Sequence, residues 1–232
     1  MESEFKSDRM NMADRIATEE QERFERLEEQ INSCFGLFTA LVEDVRALSP
    51  TDNNPAIVRS RVRAFFALVE GSLYAIRNLA LSIGEVTRYG FGPGEREFLS
   101  EKRYKLSSSG DVKTVDRYLT LEESLKFSLR QAMKVLGKSY SVDTGSSGWN
   151  SFVKAKKIRN KLTHPKSPVD IEIDKDVMDT IDKALTWFVG LIEDYLPKFT
   201  QAFGELREDD DVKRRMFDPY LLEEVWKIIQ PR

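Results

Sequence analysis

The sequence predicts an all-α protein: an antiparallel helical bundle with an N-terminal helical extension and one small irregular or β-hairpin excursion. Three observations carry this. Two long N-terminal segments repeat apolar residues at three- and four-residue steps, which lines one face of a helix. A capping-box sequence opens a third helix at Thr120. A long amphipathic stretch follows Asp174.

The first helix is expected from about Ala13 to Leu48, with Phe24, Leu27, Ile31, Phe35, Phe38, Leu41, Val42 and Val45 on its stripe. Ser49-Pro50 and Asn53-Asn54-Pro55 end it. The second, about Ala56 to Val86, is more apolar and therefore more central; Phe65, Phe66, Val69, Leu73 and Ile83 lie along it. Gly90 to Gly94 reads as a loop. Arg103–Leu106 and Val112–Tyr118 flank a Ser-Gly-Asp turn and read as a small hairpin or irregular segment. In Thr120-Leu-Glu-Glu123 the hydroxyl and the glutamate can satisfy backbone N–H groups reciprocally, so a third helix runs to about Leu136. Gly137 to Gly148 reads as a mobile polar connection. A fourth helix runs from near Trp149 to about Thr163, with His164 at its exit because Pro165 disfavours helical geometry before it. Ser167 to Ile173 is expected to be an extended link. Asp174 then caps a fifth helix over about Lys175–Phe199, and a short helix over Tyr220–Ile229 follows the acidic run at Asp209–Asp211.

The chain has 232 residues, 41% of them hydrophobic and 32% charged, enough for one sizeable core. No apolar run is expected to reach membrane-spanning length, and the polar N-terminus does not read as a secretory signal. The single cysteine, Cys34, reads as a buried inert thiol, and a reduced cytoplasmic setting is expected. The formal net charge of −3 argues against a protein that coats nucleic acid overall, so any RNA contact must be local.

A local basic stretch exists. Residues 154–166 hold Lys154, Lys156, Lys157, Arg159, Lys161 and Lys166 with no acidic residue. Most charge runs are solvated helix faces; spacing shifts the balance here. Asn160 and His164 are four residues apart, a shared-face spacing. Arg159 precedes His164 by five, about 140° around a regular helix, a gap that its long side chain and the helix end can close. Arginine binds phosphate through paired hydrogen bonds. Histidine exchanges protons near neutral pH. Asparagine can position a phosphate oxygen or the imidazole. Together they suit cleavage of an RNA phosphodiester by the adjacent 2′-hydroxyl. The reaction wants both a base and an acid, and the chain has one histidine, so a symmetric homodimer supplying two copies of His164 is expected.

Arg159-Asn160-Lys161-Leu162-Thr163-His164 resembles the R-x4-6-H motif of the HEPN superfamily, in which a polar residue often follows the arginine. The order of elements is similar too: a long apolar helix containing Glu70, a motif-bearing helix, then a long amphipathic helix. The resemblance spans about Ala56 to Phe199. It implies one HEPN-like domain over 51–203, with 1–50 a helical extension and 204–232 a tail. It also implies a metal-independent endoribonuclease of toxin–antitoxin or phage-defence type, working as a homodimer without cofactor. Arg159 and His164 would be catalytic with Asn160 assisting, and an antitoxin or other defence protein is a possible partner. Within that frame Lys156, Lys157, Lys161 and Lys166 would guide RNA. Inactive members that only bind a partner protein or nucleotide also exist, and a plain helical adaptor is a third reading.

Several other residues admit both a functional and a structural reading. Glu70 could orient Arg159 or Arg77, or simply pair with Arg63 or Tyr74. Arg77-Asn78 has no histidine after it and reads as structural or a dimer contact. Gly90 to Gly94 lacks the Gly-Lys-Ser/Thr ending of a phosphate loop. Asp174, Asp176 and Asp209–Asp211 have no EF-hand spacing, and one histidine with one distant cysteine makes a zinc site improbable. Trp149, Trp187 and Trp226 could stack on bases, but core packing is the default.

Overall fold

An apolar helix buries itself only if other helices wrap it, and the second helix is wrapped on several sides. The computed structural model describes residues 2–48 and 54–206, with side chains at 22–23, 25–48 and 54–205. Among them lie α1 (Glu2–Ala47), α2 (Pro55–Val86), α3 (Pro93–Leu99), β1 (Lys102–Leu106), β2 (Val112–Asp116), α4 (Leu121–Lys134), α5 (Ser147–Thr163) and α6 (Lys175–Leu206). The helical bundle with a small hairpin is as the sequence predicts. The expected helix at Tyr220–Ile229, the acidic run at Asp209–Asp211, Trp226 and the side chain of Phe24 lie outside the described residues.

Asn54 caps α2, its Oδ1 accepting from the Ala56 N–H at 2.9 Å, with Pro55 in the first turn. α1 packs antiparallel along α2: the Cys34 thiol donates to the Ala75 carbonyl at 3.5 Å, and Leu41 lies against Gly71. Burial pushes the Cys34 thiol pKa up, consistent with an inert thiol. One continuous core joins Leu27, Ile31, Val42 and Val45 of α1 to Val62, Phe65, Phe66, Val69 and Leu73 of α2, Leu125 and Leu129 of α4, Phe152 of α5, and Phe188 and Tyr195 of α6. Aromatic rings stitch α2, α5 and α6 together. Phe66 lies 5.9 Å from Phe152, Phe65 lies 6.0 Å from Phe188, and Phe152 touches Trp187 at 5.1 Å. Trp149 meets Trp187 edge-on at 5.5 Å, so both tryptophans are packing groups.

Several expectations need correction. α2 does hold a stretch long and apolar enough to cross a membrane, but half of that stretch is buried within the bundle. The segment after Gly90 is a loop only to Gly92; α3 follows, its first turn closed by the Gly92 N–H donating to Glu95 at 3.1 Å and its end fixed by buried Leu99. The link after Ser167 is a 3-10 turn over Pro168–Ile171 rather than extended chain. α6 continues to Leu206 through Pro197, which removes one backbone bond, because Phe199, Ala202 and Phe203 beyond it are buried. The connection after Gly137 is anchored: Tyr140 packs edge-on to Tyr195 at 5.0 Å and donates to Asp194 at 3.1 Å.

The hairpin pairs Tyr104 with Thr114 and Leu106 with Val112 on one face, and Arg103 with Val115 and Lys105 with Lys113 on the other. Its root is held from both sides. Arg117 bonds Glu97 at 2.9 Å and lies 3.6 Å over the Phe98 ring. The Arg117 N–H donates to the Glu101 carbonyl at 2.7 Å.

Two stability predictions follow from packing. A Cβ at Gly148 would lie 2.7 Å or less from the Cβ and ring-root carbons of Trp187, atoms near the backbone that cannot swing aside. Gly148→Ala should therefore cost about 1–3 kcal/mol, read as a lower midpoint in urea. The Tyr195 hydroxyl is buried with no hydrogen-bond partner among the described residues. Tyr195→Phe should leave stability unchanged or raise it by about 1 kcal/mol in a thermal melt at pH 7. Burial raises the Tyr195 pKa, so its ionisation costs the fold nothing below the ordinary phenol value of about 10, and stability is lost as pH climbs above it. The phenylalanine variant should soften alkaline destabilisation.

Candidate functional site at the end of α5

α5 begins where Ser146 accepts from the Trp149 N–H at 3.2 Å. Phe152, Ala155 and Leu162 turn into the core, which fixes the rotation of the helix. Everything polar on α5 is placed by that rotation. Lys154, Lys157 and Lys161, spaced three and four residues apart, fall on the outward face and are exposed. None of them, nor Lys166, forms an ion pair among the described residues. Lys161 does lie close enough to Asp170 to lower that carboxyl's pKa, although the first cause of the lowering is the Lys166 backbone N–H.

Arg159 and Lys156 flank the buried face instead. The Lys156 ammonium is half-buried and bonds both oxygens of Glu122 on α4, at 2.5 and 2.6 Å. Its charge is already answered within the fold. The Arg159 guanidinium, 21% exposed, forms an ion pair with Glu70 of α2. A second nitrogen donates to Asn160 Oδ1 at 3.2 Å, and the guanidinium carbon sits 5.5 Å over the Phe66 ring. Burial pulls the Arg159 pKa below its ordinary value, yet a guanidinium keeps its charge at any physiological pH. Of its five N–H donors two are engaged, so donors remain for an incoming oxyanion.

His164 terminates α5. Its N–H donates to the Asn160 carbonyl at 3.0 Å, and its backbone (φ −129°, ψ 62°) leaves helical geometry, as expected before Pro165. The side chain is exposed, with no hydrogen bond to a described residue. The chain beyond is tied back by Asp170, which accepts from the Lys166 and Ser167 N–H groups at 2.9 and 3.1 Å. From α2, Arg63 donates to the Leu162 carbonyl at 2.8 Å and Arg59 to the Ile171 carbonyl at 3.2 Å. The first of these neutralises a helix-end carbonyl beside the motif.

The fold thus brings Arg159, Asn160 and Glu70 together. His164 stands one turn further along, without direct contact to Arg159. Of the two readings of Glu70, the one that pairs it with Arg159 holds; Arg63 goes to Leu162 instead. Arg77 is structural: 4% exposed, it pairs with Glu101 at 2.9 Å and with the Ser124 hydroxyl at 2.5 Å. Sequence reasoning missed Arg59 and Arg63 as clamps on the segment around His164. Their signal was a basic face on the first turns of an otherwise apolar helix. Among the described residues no group of three His, Cys, Asp or Glu side chains is placed to hold a metal.

Comparison with protein-family models, with curated proteins and with solved structures gives no match to this chain.

Because Glu70 is half-exposed, its pair with Arg159 adds little to stability. Glu70→Ala should lower stability by about 1 kcal/mol or less in urea titration. The main consequence should be local, as greater mobility of the Arg159 guanidinium, visible by NMR as faster rotation and proton exchange of its Nη groups.

Proposed function

We propose that the end of α5 is an RNA-cleaving site of HEPN type, completed by a second copy of the chain. The observation that carries this is the Arg159 guanidinium, held by Glu70 and Asn160 one turn before the exposed His164, on a helix whose outward lysines lack acidic partners among the described residues. A fixed guanidinium with spare donors is suited to the charge that builds on a phosphorane. Lys157, Lys161 and Lys166 supply a local positive field on a chain of negative net charge.

In this reading His164 takes the proton of the RNA 2′-hydroxyl as its oxygen attacks the phosphorus. The bond to the 5′-oxygen breaks, and the partner's His164 protonates that leaving oxygen. The products are a 2′,3′-cyclic phosphate and a 5′-hydroxyl end, with no water consumed and no metal required. Exposure of His164 is what allows two copies to face each other. Tyr74, 53% exposed and one turn beyond Glu70, offers apolar surface for that contact. A role in toxin–antitoxin or phage defence, with an antitoxin as partner, fits such an activity.

A second reading has a specific observation in its favour. Glu70 already offsets the Arg159 charge, and no contact links Arg159 to His164. A HEPN-like module that binds a partner protein or nucleotide without turnover would tolerate both features.

The test is incubation of the purified full chain with single-stranded RNA in EDTA. Wild type should yield cyclic-phosphate ends, and His164→Ala and Arg159→Ala should each slow cleavage by about 10²–10⁴-fold. Sedimentation should report a dimer. A folded dimer that binds RNA or nucleotide but leaves RNA intact under every condition favours the second reading.

A further inference from the structure

The hairpin of β1 and β2 stands clear of the bundle. Neither strand contributes a residue to the core, and every strand residue except Val115 is exposed. A two-stranded hairpin is marginal by itself, yet this one is firmly made. At its tip the Ser107 N–H donates to the Asp111 carbonyl at 2.9 Å, and Gly110 takes the left-handed turn position at φ +86°. At its root Arg117 ties it to Glu97 of α3. The result is a preformed arm that buries almost nothing of its own.

Its charge is uneven. Residues 102–117 hold Lys102, Arg103, Lys105, Lys113 and Arg117 against Asp111 and Asp116. Asp116 is engaged by Lys102 at 2.5 Å, and Asp111 accepts from the Ser109 hydroxyl at 2.6 Å. The nearby Glu95, Glu97 and Glu101 are engaged by Lys134, Arg117 and Arg77. Arg103, Lys105 and Lys113 are left with no hydrogen bond or ion pair among the described residues. All three share one face of the ribbon, and the register sets Lys105 directly opposite Lys113. Like charges so placed destabilise a strand pair, so this positive charge is unanswered within the fold. The other face carries Tyr104, 70% exposed, with Leu106 and Val112, and Tyr118 follows β2 at 87% exposed. Along the edge of β1 the order is therefore cation, ring, cation.

We propose that the hairpin is an arm that holds single-stranded RNA, with Arg103, Lys105 and Lys113 taking phosphates and Tyr104 taking a base on its ring. Cations that track a backbone, interleaved with an aromatic surface for the bases, bind single strands with little regard to sequence. The choice of RNA as the polyanion rests on the reading of α5 given above. The two places are close. Glu70 and Arg77 lie seven residues apart on one face of α2, about 10 Å along its axis. Glu70 pairs with Arg159, and Arg77 pairs with Glu101, the residue before β1. The root of the arm and the Arg159 guanidinium thus open on the same side of the bundle. An anionic bilayer suits the arm less, because its tip, Ser107 to Asp111, is polar and carries a carboxylate.

The probe is a fluorescent single-stranded oligonucleotide of 2′-O-methyl RNA, which attack by a 2′-hydroxyl cannot cut, titrated with the full chain and read by anisotropy. Wild type should bind it, more weakly as salt rises. The double variant Lys105→Gln, Lys113→Gln should stay folded by circular dichroism, bind about tenfold more weakly and show a salt slope shallower by about one unit. It also removes the Lys105–Lys113 repulsion, so weaker binding cannot come from a weaker hairpin. Tyr104→Ala should bind about tenfold more weakly with the wild-type salt slope, because the ring carries no charge. Unchanged affinity in both folded variants overturns the arm. So does wild type that leaves the probe free, or that binds vesicles of phosphatidylserine and phosphatidylcholine in its place. Unmodified RNA separates the arm from the α5 chemistry. Weakened binding in the hairpin variants with no cleavage by wild type upholds the arm and sinks the nuclease. Cleavage by wild type, matched in rate and affinity by both hairpin variants, upholds the nuclease and sinks the arm.

Discussion

The aromatic seam between α2, α5 and α6 is the constraint on which the rest of the molecule depends. Phe66 against Phe152 and Phe65 against Phe188 set the rotation of α5 and α6 about α2. Rings this large cannot trade places without opening a cavity, so the helix rotation is fixed to within a small angle. Once Phe152 and Leu162 point inward, the lysines must point outward and Arg159 must lie at the seam's edge over Phe66. The placement of charge on α5 is therefore a by-product of core packing. Glu70 lies one turn beyond Phe66 on α2, which is why the ring that locates the guanidinium also brings its carboxylate partner into reach.

Electrostatics then divides the basic residues of α5 into two sets. Lys156 and Arg159 face carboxylates on neighbouring helices, Glu122 on α4 and Glu70 on α2. They help join α5 to the bundle. Both pairs are partly solvated, so each contributes modestly and acts more as an orienting contact than as a source of stability. Lys154, Lys157 and Lys161 face water. Arg159 alone belongs to both worlds, since its fork has more donors than its partners occupy. Arg63 and Arg59 reinforce the same end of the helix from α2 by taking the Leu162 and Ile171 carbonyls. The segment that carries His164 is thus held at its backbone while its imidazole stays exposed.

How much of this was legible in the sequence varies with the physics of each feature. Long helices announce themselves because their stripe repeats many times, as in α1 and α2. The capping box at Thr120 was legible because both of its bonds are local; they form at 2.9 and 3.3 Å. The exit of His164 from α5 followed from Pro165. By contrast α3 has seven residues, too few for a period to show. The end of α6 was placed too early because the burial of Ala202 and Phe203, which carries the helix on past Phe199, is a tertiary fact. Within the site, Glu70 was visible as an odd charge in an apolar helix. Its partner was not, because Arg63, Tyr74, Arg77 and Arg159 competed for it and only the helix rotation decides among them.

The two left-handed non-glycine residues show how the same local strain can serve different ends. Glu101 (φ +52°) follows α3, and its carboxylate reaches the buried Arg77 at 2.9 Å. A buried guanidinium without a counter-charge is costly, so the unfavourable backbone is offset by the ion pair it permits. The Glu101 carbonyl also accepts the Arg117 N–H, which links the hairpin root to α3. The strain there is repaid inside the fold. Arg88 occupies the matching position after α2, but its side chain lines an open cleft with three other arginines. The two strained positions therefore differ in where their side chains go, Glu101 inward to a buried charge and Arg88 to an exposed cleft.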